Sequence, residues 1–428
     1  MTSRRAGLAI GLLLLAAGLS LGTGCDPCGS CSTHAKPSPT PTPTPPNACL
    51  PSSSIGILVQ GKNATAYLPQ GYWTGGSTAV KVVPIETSSG LGTGGAPTSI
   101  DTGNVANSCS SNSTTGQTVC VANNTDVYLI TGTTLSSTLT SGATGSESFT
   151  GGSCQNCGVV VDSSINKALI TIGLNTGGPG GYQFLDLGDT PTFESPIPAG
   201  GDTSEDVSID PVRHLILSPN EGSTYQIVNT SNPTATLFNN FLDEGELDSA
   251  AEDCTTGIAL SAIEFTGSLY IADLTQAVFT PGTPGTWTDT ASQLVNFPEF
   301  ESLDAGTCGI AVAPGTHLGI VTGEFGGSLE GVIQLPATSG SGMPAFVDYV
   351  AFTVPSPPAP EEGWFEGDDP HTVTAYVSPN SKTAYAVLEN EDFSYLAIVD
   401  LKGMLSAPRT GHTVNDPLPA GLVTFIAE

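Results

Sequence analysis

The chain has 428 residues, with 40 acidic residues against 10 lysines and arginines, and a formal net charge of −30. Such an excess of negative charge repels nucleic acid and anionic lipid, so we expect neither DNA nor RNA as a partner and no direct electrostatic binding to a membrane. The 52 glycines, and the absence of an apolar period of 3.6 over a helix-length window, favour an all-β protein.

The first 24 residues predict an export signal. Arg4 and Arg5 precede an uncharged apolar run, 8–21, and three small residues lead to Cys25. The run is short for a bilayer span, so we interpret 1–24 as a cleaved signal peptide. Small residues directly before a cysteine resemble the lipobox of bacterial lipoproteins, which implies a diacylglyceryl group on Cys25. Ordinary cleavage, with Cys25 in a disulfide, is the alternative.

Residues 25–50 are interpreted as the anchor region and a linker. Prolines alternate with serine and threonine over 36–46, a pattern that favours extended polyproline II and prevents a packed core. At about 3.1 Å per residue, this stalk would hold the next domain a few nanometres from a lipid surface. We therefore expect an exported protein of the bacterial outer membrane, periplasm or cell surface, attached to the membrane only through its lipid.

The ten cysteines indicate an oxidising compartment. Cys109 and Cys120 bracket a polar segment, 110–118, in a hairpin-like arrangement, and this predicts a disulfide. Cys154 and Cys157 have a spacing that zinc and redox sites also use, but loop disulfides are the simpler interpretation. If Cys25 is lipidated, nine cysteines remain, so at least one is a thiol or forms an intermolecular bond.

Residues 51–428 show no second linker and predict one domain. Triples of short β-branched strands begin near residues 55, 118, 157, 205, 252, 304 and 373, separated by Gly, Pro and Asn. Asp206, Asp253 and Asp304 are 47 and 51 residues apart, which suits a four-stranded blade with its loops. The fold class predicted is therefore an all-β β-propeller with seven four-stranded blades; six or eight blades are the alternatives.

Two segments carry a family resemblance. Val377 to Val387, followed by Tyr395 to Leu401, resembles the repeat of bacterial YVTN and LVIVD surface propellers, and Ile209 to Leu217 resembles a degraded copy. The resemblance implies a seven-bladed fold and a cell-surface setting. Because that family includes binding modules, lactonases and proteins of no known activity, it implies no catalytic residue.

Carboxylates recur where the chain enters a blade and where the second strand ends, and in a propeller these two positions share one face. Clustered carboxylates repel one another unless a cation neutralises them, and rings of oxygen ligands are what Ca²⁺ requires. The pattern predicts a divalent-cation site at one acidic mouth, with Ca²⁺ as the candidate ion. Its proposed ligands are Glu205, Asp206, Glu252, Asp253, Asp304 and Glu324.

Other residues suggest a small polar ligand, a glycan or an envelope protein as partner of a monomeric binding module. His371, Trp364 and Asn220 are the candidate ligand-binding residues, because an aromatic ring near polar groups suits sugars and peptides. His214 and His317 are placed on the opposite face, as surface or packing residues.

The rival interpretation is a metal-dependent hydrolase. A resemblance to regucalcin and gluconolactonase propellers would make Glu205, Asn220, Glu252 and Asp304 the ligands of one metal that polarises a lactone carbonyl. The chain has no Gly-x-Ser-x-Gly elbow, His-Glu-x-x-His helix or phosphate-binding glycine loop, which argues against the commoner hydrolases and nucleotide-dependent enzymes.

Overall fold

Seven four-stranded antiparallel sheets surround an axis, which confirms the predicted seven-bladed β-propeller. The computed structural model describes residues 55–70, 77–122, 124–142, 156–172, 181–198, 207–220, 224–231, 236–240, 247–263, 266–276, 293–296, 306–323, 330–338, 343–350, 373–389, 395–407 and 418–427. Each blade is built from consecutive strands, and each strand pairs with the one before it, except that an interrupted outer strand in blades 1 and 3 pairs in two pieces.

The first three blades hold fourteen strands. Blade 1 contains β1 (Gly56–Gln60), β2 (Asn63–Pro69), β3 (Ala79–Thr87), β4 (Gly90–Leu91) and β5 (Thr98–Asp101). Blade 2 contains β6 (Ala106–Asn112), β7 (Gln117–Ala122), β8 (Asp126–Thr131) and β9 (Thr134–Thr140). Blade 3 contains β10 (Asn156–Asp162), β11 (Lys167–Ile172), β12 (Gly181–Asp186), β13 (Thr192–Phe193) and β14 (Ile197–Pro198).

The second half of the ring follows the same plan. Blade 4 contains β15 (Ser208–Asp210), β16 (Leu215–Asn220), β17 (Thr224–Asn229) and β18 (Thr236–Asn240). Blade 5 contains β19 (Leu247–Asp253), β20 (Ile258–Ile263), β21 (Ser268–Asp273), a 3₁₀ turn (Leu274–Gln276) and β22 (Gln293–Asn296). Blade 6 contains β23 (Ile310–Ala313), β24 (Leu318–Thr322), β25 (Glu330–Gln334) and β26 (Ala345–Val350). Blade 7 contains β27 (Val373–Val377), β28 (Ala384–Glu389), β29 (Tyr395–Asp400), the short helix α1 (Leu401–Ser406) and β30 (Val423–Ala427).

Two faces of the propeller follow from strand direction. We call the face where each first strand begins the upper face, and the face with the turns between first and second strands the lower face. The second-to-third strand connections lie on the upper face, whereas the third strands end on the lower face. This polarity decides which side chains can meet.

Apolar layers between neighbouring blades form the core. At the junction of blades 7 and 1, for example, Ile57, Leu68 and Ile85 pack against Val387 and Ile398, all of them buried. Since a fully buried aliphatic side chain contributes about 1.5–3 kcal/mol, seven such layers account for the main stabilisation of the ring. The β-branched runs of the sequence therefore mark strands covered on both faces.

β6, the first strand of blade 2, approaches the next blade closely because its side chains are small. All seven residues of β6 are buried, and its serines bond directly to the next blade. Ser108 Oγ accepts from Val159 N–H at 3.3 Å, and Ser110 Oγ accepts from Val161 N–H at 3.1 Å. A strand of small polar residues is thus part of the core near the axis.

The predicted disulfide is confirmed. Cys109 and Cys120 lie directly opposite each other in β6 and β7, their Cα atoms 4.1 Å apart, and both are fully buried. Cys157 and Cys254 are disulfide-bonded as well, whereas Cys308 is a buried thiol.

Candidate functional site

Most of the predicted site residues fall outside the residues that the structure describes. These are Cys25, Glu205, Asp206, Asp304, Glu324, Trp364 and His371. Asn220 is the last residue of β16, on the upper face where it was expected, and only its backbone is described. The cation and ligand sites of the upper face therefore stay predictions.

The predicted placement of Glu252 and Asp253 is wrong. They are the last two residues of β19, a first strand, and so lie towards the lower face rather than at its start. The error came from aligning Asp253 with Asp206, whereas its structural equivalents are Asp162 and Asp210, each the last residue of a first strand. β19 is rich in Ser and Ala and lacks β-branched residues, so its sequence did not indicate a strand.

This correction separates the residues proposed for a metal. Glu252 is buried between blades 4 and 5, where its Oε1 atom accepts a hydrogen bond from Leu217 N–H at 3.1 Å. It cannot join an upper-face set with Asn220 in the lactonase-like arrangement. Among the described residues, no group of three or more His, Cys, Asp or Glu side chains is placed to hold a metal ion.

The lower face has a repeated polar turn that the sequence interpretation missed. An Asn, Asp or Ser ends or follows the first strand and accepts hydrogen bonds from backbone N–H groups two or three residues on. Asp210 Oδ1, for example, accepts from Val212 and Arg213, both at 2.9 Å. Equivalent first-position residues are Asn112, Asp162, Asp253 and Ser378. Such Asx and Ser turns fix the loop without help from the rest of the fold.

Four residues after the first position, the backbone has a positive φ. The residues there are Gly116, Asn166, His214, Gly257, His317 and Lys382. Glycine and asparagine adopt this left-handed region easily, but other residues bear a strain of roughly 1 kcal/mol. An Asn or Asp followed four positions later by Gly, Asn or His is therefore a sequence signal for these turns.

The turns of neighbouring blades contact one another through these two positions. Asn112 Nδ2 donates to Asn166 Oδ1 at 2.7 Å, joining blades 2 and 3. His214 Nδ1 lies 2.8 Å from Asp162 Oδ2, joining blades 3 and 4, and His317 bonds to Asp253 in the same way between blades 5 and 6. Both histidines thus lie on the lower face, as predicted, and link blades there.

Where the positive-φ residue is glycine, a longer side chain of the preceding blade takes the space. A Cβ atom on Gly257 would lie 2.7 Å from Cζ of Arg213, whose guanidinium bonds to Asp210 Oδ2 at 2.5 Å and to the Cys254 carbonyl at 2.9 Å. Gly116 is likewise covered by Gln60, with Nε2 2.5 Å from the position of a Cβ. Equivalent blade junctions are therefore filled either by the side chain at the positive-φ position or, where that residue is glycine, by a longer side chain of the preceding blade.

Blades 7 and 1 are neighbours in the ring but are not consecutive in the chain, and a buried carboxylate links them. Glu86, at the lower end of β3, accepts from Ser378 Oγ at 2.6 Å, Asn380 Nδ2 at 2.9 Å and Tyr376 Oη at 3.2 Å. On the upper side, Gln70 Nε2 donates to Glu389 Oε1 at 3.0 Å. Burial, followed by the Glu86 charge, raises the pKa of Tyr376, so this hydroxyl stays a donor.

Two buried glutamates have a pKa above the usual value of a glutamate side chain. Burial, followed by the nearby Asp210 carboxylate, raises the pKa of Glu252 well above its usual value. Burial raises the pKa of Glu330, at the upper end of β25, to about 8. Desolvation favours the neutral acid. Perturbed carboxyls occur at many functional sites, but these two face different blade junctions and do not form one site.

The comparisons with known proteins extend to the fold alone. No protein-family model and no curated protein matches this sequence. A chain in a solved structure described as the crystal structure of a mitotic checkpoint complex is similar to it, with a TM-score of 0.51 and 9% sequence identity, over 88% of this chain and 97% of that chain. Within the described part of the chain, no helix is long and apolar enough to span a membrane.

Proposed function

We propose that this protein is a lipid-anchored binding or scaffold module of a bacterial envelope. The proposal is supported by the order of parts along the sequence: a predicted export signal, a cysteine suited to lipidation, a proline-rich tract and then the propeller. A rigid ring on an extended tether presents a surface at a distance from the membrane, which is what a binding module needs.

The geometry of the ring is compatible with this role. β1 begins on the upper face, so the described part of the chain enters its first blade there. Side-chain links between the turns of neighbouring blades stabilise the lower face. The resemblance to YVTN and LVIVD propellers supports the surface setting and rests on the sequence segments alone.

Lipidation of Cys25 can be tested in a bacterial host that processes lipoproteins. The full chain, a Cys25→Ser variant and a matched Cys28→Ser control would be labelled with radioactive palmitate and partitioned with a cloud-point detergent. We expect label and detergent partitioning in the wild type and the control, and loss of both in Cys25→Ser. Equal labelling of all three, or of none, would overturn the anchor.

The divalent cation is the second part of the proposal and now rests on Glu205, Asp206, Asp304 and Glu324. Carboxylates from several blades would supply the oxygen ligands that Ca²⁺ takes. Thermal unfolding of the full chain with increasing Ca²⁺ tests this part. We expect a calcium-dependent rise of Tm that Glu205→Gln with Asp304→Asn abolishes and that the exposed control Asp189→Asn keeps. A wild-type Tm that does not respond to millimolar Ca²⁺ would end this hypothesis.

A further inference from the structure

Basic residues are concentrated on one face of this acidic protein. Of the six lysines and arginines among the described residues, five lie on the lower face and only Lys81 lies in the upper part of a strand. The five are Lys62, Lys167, Arg213, Lys382 and Lys402. Acidic residues such as Asp186, Asp189 and Asp400 lie on the same face, so the lower face is distinguished by its lysines and arginine and not by a positive net charge.

Two of the five are neutralised internally. Lys167 bonds to Glu194 at 2.6 Å and Arg213 to Asp210 at 2.5 Å. Lys62, Lys382 and Lys402 are exposed and form no ion pair within the described residues. Lys62 and Lys382 lie in turns of blades 1 and 7 that touch where Asn380 Nδ2 donates to the Lys62 carbonyl at 2.9 Å, and Lys402 lies on α1 of blade 7, which packs at the junction of blades 6 and 7. We call these three residues the seam lysines.

The acidic side chains near the seam lysines accept hydrogen bonds from other groups. Glu86 is buried and accepts three hydrogen bonds from blade 7, while Asp400 accepts from Gly403 N–H at 2.7 Å and caps α1. Their oxygens are held by the fold rather than by the lysines. Hydrogen bonding does not remove the charge of these two carboxylates, but no ion pair joins them to the seam lysines within the described residues, so three exposed ammonium groups face the solvent near two acids.

Lys382 shows this most clearly. It occupies the positive-φ position, with φ 59°, where Asn166, His214 and His317 each reach back to an Asn or Asp of the preceding blade. In blade 6 the corresponding first position is Ala313, which offers no carboxylate. A strained residue whose ammonium group has no ion-pair partner among the described residues suggests a use outside the fold.

The surface around these lysines is polar. Among the described residues, the large hydrophobic side chains that are exposed are Val212 and Met343, and neither belongs to blade 1 or 7. A protein partner would need aromatic or aliphatic anchors for its central contacts. Exposed Ser89 and Ser381 instead offer hydroxyl groups for hydrogen bonds beside the charges.

We infer that the seam lysines and the polar turns around them form a docking surface for an anionic polysaccharide. Carboxylate-bearing sugars match the ammonium groups, and sugar hydroxyls match the Ser side chains. The inference rests on the proposed binding-module function and deepens it by naming the face and the partner class. It does not depend on lipidation of Cys25, so the two tests fail separately.

Ionic strength gives the binding a distinctive signature. At 0.01 M salt the screening length is about 30 Å, so the whole negative molecule repels a polyanion. At 0.15 M it is about 8 Å, so only the local lysines matter, and at 1 M their attraction is screened as well. Retention should therefore be greatest at intermediate salt.

Electrophoresis of the full chain through gels containing alginate, with neutral dextran gels as reference, tests the inference. We expect retardation by alginate at 0.15 M salt. The triple variant Lys62→Gln, Lys382→Gln, Lys402→Gln should bind about tenfold more weakly, and each single variant about twofold, whereas Lys81→Gln should bind as the wild type does. Circular dichroism would confirm folding. No retardation of the wild type, or equal loss in Lys81→Gln and Lys382→Gln, would overturn the inference.

Discussion

Asp253 Oδ2 in blade 5 lies 2.5 Å from His317 Nδ1 in blade 6, while Asp253 Oδ1 accepts the backbone N–H of Thr255 at 3.0 Å. One carboxylate thus shapes its own turn and bonds to the next blade. The same division of labour occurs in Asp162, whose two oxygens bind Ser164 N–H and His214. The same side chain therefore stabilises the turn of its own blade and the contact with the next blade.

Asp253→Ala should lower the free energy of unfolding by about 2 kcal/mol, since it removes both the turn cap and the contact with His317. His317→Gly should cost less, because it removes only that contact and relieves a positive φ of 58°. Urea unfolding of the two single variants and the double variant gives a coupling energy, expected at about 1 kcal/mol. Additive effects would show that the pair does not interact; exposed Asp189→Ala is the control.

The junction of blades 4 and 5 predicts a rescue. Gly257→Asn should be destabilising by about 1–2 kcal/mol, because its Cβ meets the guanidinium of Arg213 at 2.7 Å. Combining it with Arg213→Ala removes the contact with the guanidinium, leaves the Thr275 methyl group at 2.9 Å from the Cβ, and allows Asn to reach Asp210, as Asn166 reaches Asn112. Thermal unfolding should rank the double variant above Gly257→Asn alone. The opposite ranking would show that Arg213 is not filling the place of a side chain at 257.

Glu86 predicts local opening between blades 7 and 1. Glu86→Ala leaves Ser378, Tyr376 and Asn380 without their acceptor, which should cost about 2–3 kcal/mol. Hydrogen exchange should quicken first in β1 and β27, because the chain runs from each blade into the next at the other six junctions but not from blade 7 into blade 1. Asn112→Ala, at the junction of blades 2 and 3, serves as the matched control and should affect β6 and β10 instead. Uniform exchange in both variants would contradict a preferred opening point.

Glu330 predicts a pH dependence. Its pKa is about 8 in the fold and near 4.5 in the unfolded chain, so the native state holds a proton that the unfolded state has lost. Its stabilising contribution is complete below about pH 4.5 and is lost as the pH rises towards 8, at about 1.4 kcal/mol per unit. Glu330→Gln should remove this loss, so the variant gains Tm on the wild type between about pH 5 and 8. A constant difference would show that Glu330 is ionised in the fold.

The sequence predicted the elements whose signal is local. The strand triples predicted near residues 157 and 373 begin at β10 and β27, which contain β-branched residues and are almost fully buried. β6 and β19 were missed, since Ser, Asn and Ala at these positions are chosen for close approach of inner strands rather than for strand propensity. The disulfide between Cys109 and Cys120 was recognised because a hairpin places them opposite each other.

The sequence predicts the positions of the carboxylates in the blades less well. Asp253 resembles Asp206 as a sequence neighbour of Glu, but strand direction makes it the equivalent of Asp210. Nothing in the sequence links Asp162 to His214, which is 52 residues away, or Glu86 to Ser378, 292 residues away. These pairs exist because the blades close into a ring.

The sequence by itself determined an acidic, all-β chain and predicted its seven blades, because composition and strand periodicity are local properties of a chain. Only the tertiary structure decided which carboxylates are turned inward and which cations remain outside. Glu86, Asp162, Asp210 and Asp253 are buried and accept hydrogen bonds at the blade junctions. Lys382 has no such carboxylate in the preceding blade, because the equivalent residue there is Ala313. The result is a set of exposed lysines on the lower face of blades 1 and 7, an arrangement that residue counts cannot reveal.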